Sequence, residues 1–296
     1  MRLATFVSSR GPCLGVVSGE EVVDLGAVSS ETTGLPATMA EFLALGAHGL
    51  DAARHVVERA LKERSAGAVQ ALAAVKLLAP IPRPGKVIGV GLNYNDHAAE
   101  VGRPKQSIPR LFVKVSSSVV GPDAAVAIPP NVSKLDFEVE LAVVIGKRAT
   151  RVKEADAIGY VGGYTILNDL SAREFQFDVT PAQTSLAKSM DGFCPMGPWI
   201  VTADELGDGS GLGVRTWVNG DKMQDGTTSD LIFSVAALVA YISRYMTLEP
   251  GDVIATGTPA GVGAFRKPPL FLKSGDRIKL EIDRIGVLET TIKNAD

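Results

Sequence analysis

The chain has 296 residues, 46% of them hydrophobic and 21% charged, and 30 basic against 33 acidic side chains leave a formal charge of −3. That apolar content excludes general disorder, and the scattered charges leave no basic stripe to neutralise a phosphate backbone, so nucleic acid is not an expected partner. The longest apolar run, Leu231 to Ile242, falls short of the ~20 residues of a bilayer span, and Cys13 and Cys194 fit neither a disulfide framework nor a zinc site. A reducing, cytoplasmic setting is expected, because Arg2, Ser8, Ser9 and Arg10 break up any secretory h-region or amphipathic presequence.

Residues 1 to about 75 read as short strands at Leu3 to Val7, Cys13 to Val17 and Glu21 to Leu25, followed by two helices. The first runs from Met39 to Leu45. The second runs from Ala52 to Leu72 with a break at Gly67, because Ala53, Val56, Val57, Ala60 and Leu61 recur at helical spacing between charged residues. His48 and His55 lie here without carboxylates and read as ordinary surface or capping residues. Three alternating prolines in Ala79-Pro80-Ile81-Pro82-Arg83-Pro84-Gly85 fix an extended segment and mark a boundary. The expected organisation is a small N-terminal α/β domain over 1–78 and a β-rich second domain over 79–296, an α+β class overall.

Beyond the prolines, strands are expected at Lys86 to Gly91, Leu111 to Val115, Glu138 to Ile145, Tyr160 to Asn168, Val214 to Val218, Asp252 to Thr256, Ile278 to Ile282 and Val287 to Ile292. Asn219-Gly220 is a type I′ hairpin signal, and Arg284-Ile285-Gly286 reads as another tight turn. One helix is expected from Ser229 or Asp230 to about Met246, with Ile232, Val235, Leu238, Val239 and Ile242 on one face.

Strand alternation puts Glu138 and Glu140 on one face about 7 Å apart, with Asp136 in register. Ionised carboxylates side by side in so apolar a run repel and lose hydration, so a positive partner is expected between them: a divalent cation, or lysines on a solvated face. The strand Tyr164 to Asn168 ends in Asp169, which completes a three-oxygen set suited to Mg²⁺, Mn²⁺ or Ca²⁺, or else caps a following helix. After Val87 to Val90 comes Asn93-Tyr94-Asn95-Asp96-His97-Ala98-Ala99-Glu100. His97 and Glu100, spaced i, i+3, share a helical face and have the build of an oriented general base, with a surface ion pair as the bland alternative. Gly89 and Gly91 look like a dinucleotide loop, but Tyr94 stands where its third glycine belongs. Lys188 precedes the constrained loop around Phe193-Cys194-Pro195 and suits a carbonyl or carboxylate near the metal, or is a plain surface lysine. The turn Thr256-Gly257-Thr258-Pro259-Ala260-Gly261-Val262-Gly263 lacks a P-loop's lysine, yet its backbone N–H groups suit a carboxylate.

Together these segments resemble the fumarylacetoacetate hydrolase superfamily over residues 80 to 293. The family's N-Y-x-x-H-x-x-E stands here as Asn93, Tyr94, His97 and Glu100, its E-x-E as Glu138 and Glu140, its distal acid as Asp169 and its lysine as Lys188. The T-G-T-P-x-G-V-G turn is intact, and residues 263–273 with the Phe193 loop look closest to the domain-containing protein 2 branch. The resemblance implies a mixed β-roll around a Mg²⁺ or Mn²⁺ site, usually in a homodimer, acting on small 2-oxo acids. It also implies that Arg173 and Gln176, with Gly257 and Thr258 of the turn, line the substrate pocket and that the loop bearing His97 and Glu100 is a lid. The expected reaction is hydrolysis of a C–C bond in 2,4-dioxo acids of the acylpyruvate or fumarylpyruvate class through a cation-held enolate. In it His97, oriented by Glu100, activates water and Lys188 stabilises the oxyanion. The alternative is tautomerisation or decarboxylation of oxaloacetate at the same site, which needs no attacking water. A scaffold protein holding structural Ca²⁺ is a third reading, disfavoured because a structural ion needs no base beside it.

Overall fold

The computed structural model describes residues 1–28 and 34–295. Strands β1 (Arg2–Ser8), β2 (Gly11–Ser18) and β3 (Glu21–Asp24) form a meander, followed by helices α1 (Met39–Ala44) and α2 (Gly46–Glu63) and the short strand β4 (Val69–Ala71). Helix α2 begins and ends earlier than its apolar spacing suggests. It stops where Arg64 turns left-handed, and the expected continuation to Leu72 instead pairs with β3, register Val23↔Val69, so sheet hydrogen bonds override helix propensity.

The rest of the chain supplies β5 (Val87–Gly91), helix α3 (Asn95–Glu100), β6 (Arg110–Lys114), β7 (Ala124–Ile128), β8 (Val139–Ile145), β9 (Val161–Asn168), helix α4 (Thr184–Lys188) and β10 (Cys194–Thr202). Then come β11 (Gly213–Val218), β12 (Asp221–Thr227), helix α5 (Val235–Ser243), β13 (Val253–Ala255), β14 (Arg277–Ile282) and β15 (Gly286–Asn294). The large mixed sheet runs β4-β3-β2-β1-β10-β9-β8-β13-β5-β6, parallel only at β13–β5 along this path. N-terminal strands therefore continue the sheet that carries the later ones, through β1 on β10. A five-stranded sheet, β12-β11-β14-β15-β7, packs on it. Its first hairpin turns at Asn219 and Gly220, both at positive φ as a type I′ turn requires.

The central strand β8 is buried along its whole length, and its two faces serve two cores. Leu141, Val143 and Ile145 pack with Val214, Leu280 and Ile282 of the second sheet and with Leu238 and Ile242 of α5. Ala142 and Val144 point the other way, toward Val253, Ala255 and the α1–α2 residues Phe42 and Val56. A strand covered on both faces reads as a continuous apolar run rather than an alternation.

Helix α5 starts five residues later than expected. Thr228–Asp230 is a single 3₁₀ turn, and Asn93 holds residues 231–233 extended by accepting from Ile232 N and Phe233 N and donating to Phe233 O. The cap is Ser234, whose Oγ accepts from Ala237 N at 3.2 Å. Ser234→Ala is expected to cost about 1 kcal/mol, read as a lowered urea midpoint; an unchanged midpoint would mean the cap contributes nothing.

Candidate active site and metal centre

Strand β8 begins one residue after Glu138, because the backbone breaks between a two-residue strand, Leu135–Asp136, and Val139. The break separates Asp136 from the other acids. Its carboxylate is buried and accepts from Phe137 N, Gly263 N, Ala264 N and, at 2.8 Å, Arg173 Nε, so the expected register with Glu138 and Glu140 does not hold. Glu138, Glu140 and Asp169 do meet: one oxygen from each lies within 4.8 Å of the others, and all three are buried. Asp169 caps no helix; the next residues, Ser171–Ala172, pair with Leu135–Asp136.

The positive charge that this cluster demands comes partly from the chain. Lys188, buried at the end of α4, donates from Nζ to Glu138 Oε2 at 2.7 Å and to Asp169 Oδ2 at 2.5 Å. Arg173 Nη2 meets Glu138 Oε1 at 2.6 Å, and its Nη1 meets Gln176 Oε1 at 2.8 Å. Burial opposes ionisation of Glu138, but Lys188 and then Arg173 outweigh it and hold this carboxyl well below the usual range. Lys114, which sequence reasoning passed over, is 1% exposed; its Nζ donates to Asp169 Oδ1 at 2.6 Å and to the Lys188 carbonyl. The available signal was a lysine closing the apolar strand Leu111-Phe112-Val113, which alternation alone leaves on either face.

Glu140 is treated differently. Among the described residues its Oε2 accepts only the Gly257 N–H, at 2.7 Å, and burial, then Asp169 and Glu138, push its carboxyl well above the usual range. Gly257 makes that approach at φ +101°, where a side chain would also press on Asn93 and Val90. One carboxylate without a cation of its own, in a set of hard oxygen donors that converge, fits a divalent ion of the Mg²⁺, Mn²⁺ or Ca²⁺ kind. Lys188 already engages two of the three groups, so an ion seated here would share the Glu138 and Asp169 carboxylates with its ammonium.

The dyad faces this cluster from α3. His97 Nδ1 lies 2.8 Å from Glu100 Oε2, and Glu100 Oε1 accepts from Gly261 N at 2.9 Å, so the carboxylate is fixed at both oxygens. Phe265 packs edge-on to the imidazole, with ring centroids 5.9 Å apart. The helix itself is held from a distance. Asp230 accepts from Asp96 N and Asn95 Nδ2, and Asn93 Nδ2 reaches Thr256 O at 2.8 Å. The motif asparagine is thus a latch between the dyad and the glycine-rich turn.

His97, Glu138, Glu140, Arg173, Gln176, Lys188 and Thr258 line one cavity of about 110 Å³, together with Arg103, Arg110 and Phe112. Phe112 lies across Gly89, where a Cβ would come 2.2 Å from its ring, and the Lys188 ammonium sits 5.2 Å from the ring centroid. Of the expected pocket residues, Arg173 is already clamped by Asp136, Glu138 and Gln176. The Gly257 N–H serves Glu140, and Thr258 Oγ1 accepts from Gln224 Nε2 at 2.7 Å. His48 and His55 lie exposed and remote from this site, His55 Nδ1 meeting the Asp51 carbonyl.

This fold and cluster accord with comparisons to known proteins. The fumarylacetoacetate (FAA) hydrolase C-terminal family matches residues 86–293. The chain is 42% identical over 296 residues to the mitochondrial oxaloacetate tautomerase fahd2 of Xenopus laevis, covering 99% of this chain and 90% of that protein. It is 42% identical over 292 residues to mitochondrial oxaloacetate tautomerase FAHD2A of Homo sapiens, covering 97% and 90%. Among solved structures, fumarylacetoacetate hydrolase from Exiguobacterium antarcticum superposes with a TM-score of 0.84 at 35% identity, and maleylpyruvate hydrolase from Sphingobium sp. SYK-6, in complex with manganese(II) and pyruvate, with 0.80 at 34%; each comparison covers both chains completely. The chain belongs to the fumarylacetoacetate hydrolase family. Within that family it falls in the domain-containing protein 2 branch. These two relatives are named for tautomerisation rather than C–C hydrolysis, and for mitochondria rather than cytoplasm. No helix among the described residues is long and apolar enough to cross a membrane.

Proposed function

We propose that this chain is a divalent-cation-dependent oxaloacetate tautomerase, interconverting the keto and enol forms of a short 2-oxo dicarboxylate. The observation that carries it is His97, held by Glu100, opening on the same cavity of about 110 Å³ as Glu138 and Glu140 of the acidic triad, far below the ~300–1,000 Å³ of pockets for larger ligands. That space suits a four-carbon acid and leaves little for the acyl arm of an extended 2,4-dioxo acid. The tautomerase names of relatives 42% identical over nearly the whole chain support the same choice.

Glu138, Glu140 and Asp169 would hold Mg²⁺ or Mn²⁺. The ion would polarise the 2-oxo and carboxylate oxygens and so acidify the adjacent C3–H. Glu100 accepts from Nδ1–H, which leaves the Nε2 lone pair of His97 to take the C3 proton. Lys188 is the positive group nearest the triad and serves as charge partner and proton donor at the C2 oxygen. The C3–H bond breaks, an O–H bond forms, and the proton count is unchanged. Arg173 orients Glu138 and, with Gln176 and Thr258, shapes the wall. Association as a homodimer is part of this proposal.

Hydrolysis of acylpyruvates is the second reading, favoured by the likeness to maleylpyruvate hydrolase and by a dyad able to deprotonate water. The deciding assay gives metal-stripped protein, with and without Mg²⁺ or Mn²⁺, to oxaloacetate, acetylpyruvate and fumarylpyruvate. Metal-dependent loss of oxaloacetate enol absorbance without pyruvate release is the expected result. Pyruvate release from oxaloacetate would make it a decarboxylase, and cleavage of the acylpyruvates would restore the hydrolase reading.

A further inference from the structure

The geometry points to Arg110, with Arg103 beside it, as the group that reads the second carboxylate of the substrate; this rests on the oxaloacetate reading above. Strand β6 presents Lys114, Phe112 and Arg110 on one face, each step about 7 Å along the strand. The three do successive things along the cavity. Lys114 holds Asp169, Phe112 lies beside the Lys188 ammonium, and Arg110, opposite Gly91 in the sheet, stands at the outer end. Arg103 enters the same cavity from the segment that follows the dyad helix.

The cations lining this space fall into two sets. Lys188 and Arg173 are ion-paired with Glu138, Asp169 and Asp136. Arg103 and Arg110 carry no side-chain hydrogen bond or ion pair among the described residues. The rest of the lining mixes apolar Leu92, Val101 and Phe177 with the uncharged polar Gln176, Thr184 and Thr258. A site with clustered carboxylates at one end, an otherwise uncharged wall and unpaired guanidinium groups at the other suits a short acid charged at both ends. Guanidinium grips carboxylate with paired donors, which an ammonium cannot reproduce. The structure therefore assigns Arg110 as a specificity-determining residue rather than a catalytic one.

The test compares oxaloacetate with 2-oxobutyrate, which keeps the 2-oxo acid end and replaces the distal carboxylate with methyl. Magnesium-loaded parent protein and Arg110→Met, Arg103→Met and Arg110→Lys variants are assayed by NMR for C3 hydrogen–deuterium exchange. Binding of oxaloacetate and pyruvate to the manganese-loaded proteins is measured by calorimetry alongside. The parent is expected to prefer oxaloacetate in kcat/KM, and Arg110→Met to erase about 100-fold of that preference, with weakened oxaloacetate binding, unchanged pyruvate binding and only partial rescue by lysine. Equal use of both acids by the parent, or an unchanged preference in the Arg110 and Arg103 variants, would overturn the assignment. So would an effect that lysine restores fully and salt abolishes, since that is long-range steering. If the parent exchanges neither acid, the tautomerase reading fails, and the calorimetric comparison alone decides Arg110.

Discussion

Replacing His97 with glutamine is expected to lower kcat for oxaloacetate enolisation by about 10²- to 10⁴-fold, the range for loss of a placed general base. The unfolding midpoint and the affinity for Mn²⁺ should stay close to those of the parent. His97 is 5% exposed and its ring packs on Phe265, so a residue of similar size fills the space while removing the basic nitrogen. Glu100→Gln should also lower kcat, because its single amide oxygen can replace only one of the two carboxylate acceptors, Oε2 for His97 Nδ1 or Oε1 for Gly261 N, and its NH2 then faces the other donor. Spectrophotometric turnover and manganese calorimetry, run on both variants, separate base from scaffold. Parent-like turnover in His97→Gln would remove the base assignment.

Replacing Lys114 with methionine should have the largest effect on stability. The lysine side chain is fully buried against Asp169, and its removal leaves a buried carboxylate short of one partner, a change that typically costs about 3–5 kcal/mol. The loss should be greatest in metal-stripped protein and partly recovered by Mn²⁺, which would supply charge to the same carboxylate. Chemical denaturation with and without the ion reads both effects. Equal midpoints for parent and variant without metal would show that the pair contributes no net stability.

Much of the site could be read from the chain because its parts are local in sequence. Glu138 and Glu140 lie two apart at the head of an apolar run, and His97 and Glu100 lie three apart on one turn, so period alone brings each pair to a common face. The features that escaped depend on distant partners. Asp136 looks in register with the glutamates until Gly263, Ala264 and Arg173 draw its carboxylate away. The start of α5 is displaced by Asn93, and the end of α2 by β3, both from remote parts of the sequence. Arg173 carries the fork expected for substrate, but that fork is spent on three neighbours inside the protein. Lys114 gives no local sign because a lone lysine in a strand has no period of its own.

The large sheet also sets the order in which the molecule can assemble. Strand β1 pairs Arg2 with Val201, and the Glu140 carboxylate waits for the N–H of Gly257, which lies 117 residues downstream. During synthesis the outer edge of β1 is therefore covered in two stages, at Phe6 and Val7 by Lys76 and Leu77 and at Arg2 and Leu3 only once β10 is made, and Glu140 gains its hydrogen-bond donor only when the turn after β13 arrives. Contacts of such long reach slow folding and leave apolar edges open in the interval. The candidate centre is among the last parts of the nascent chain to be completed.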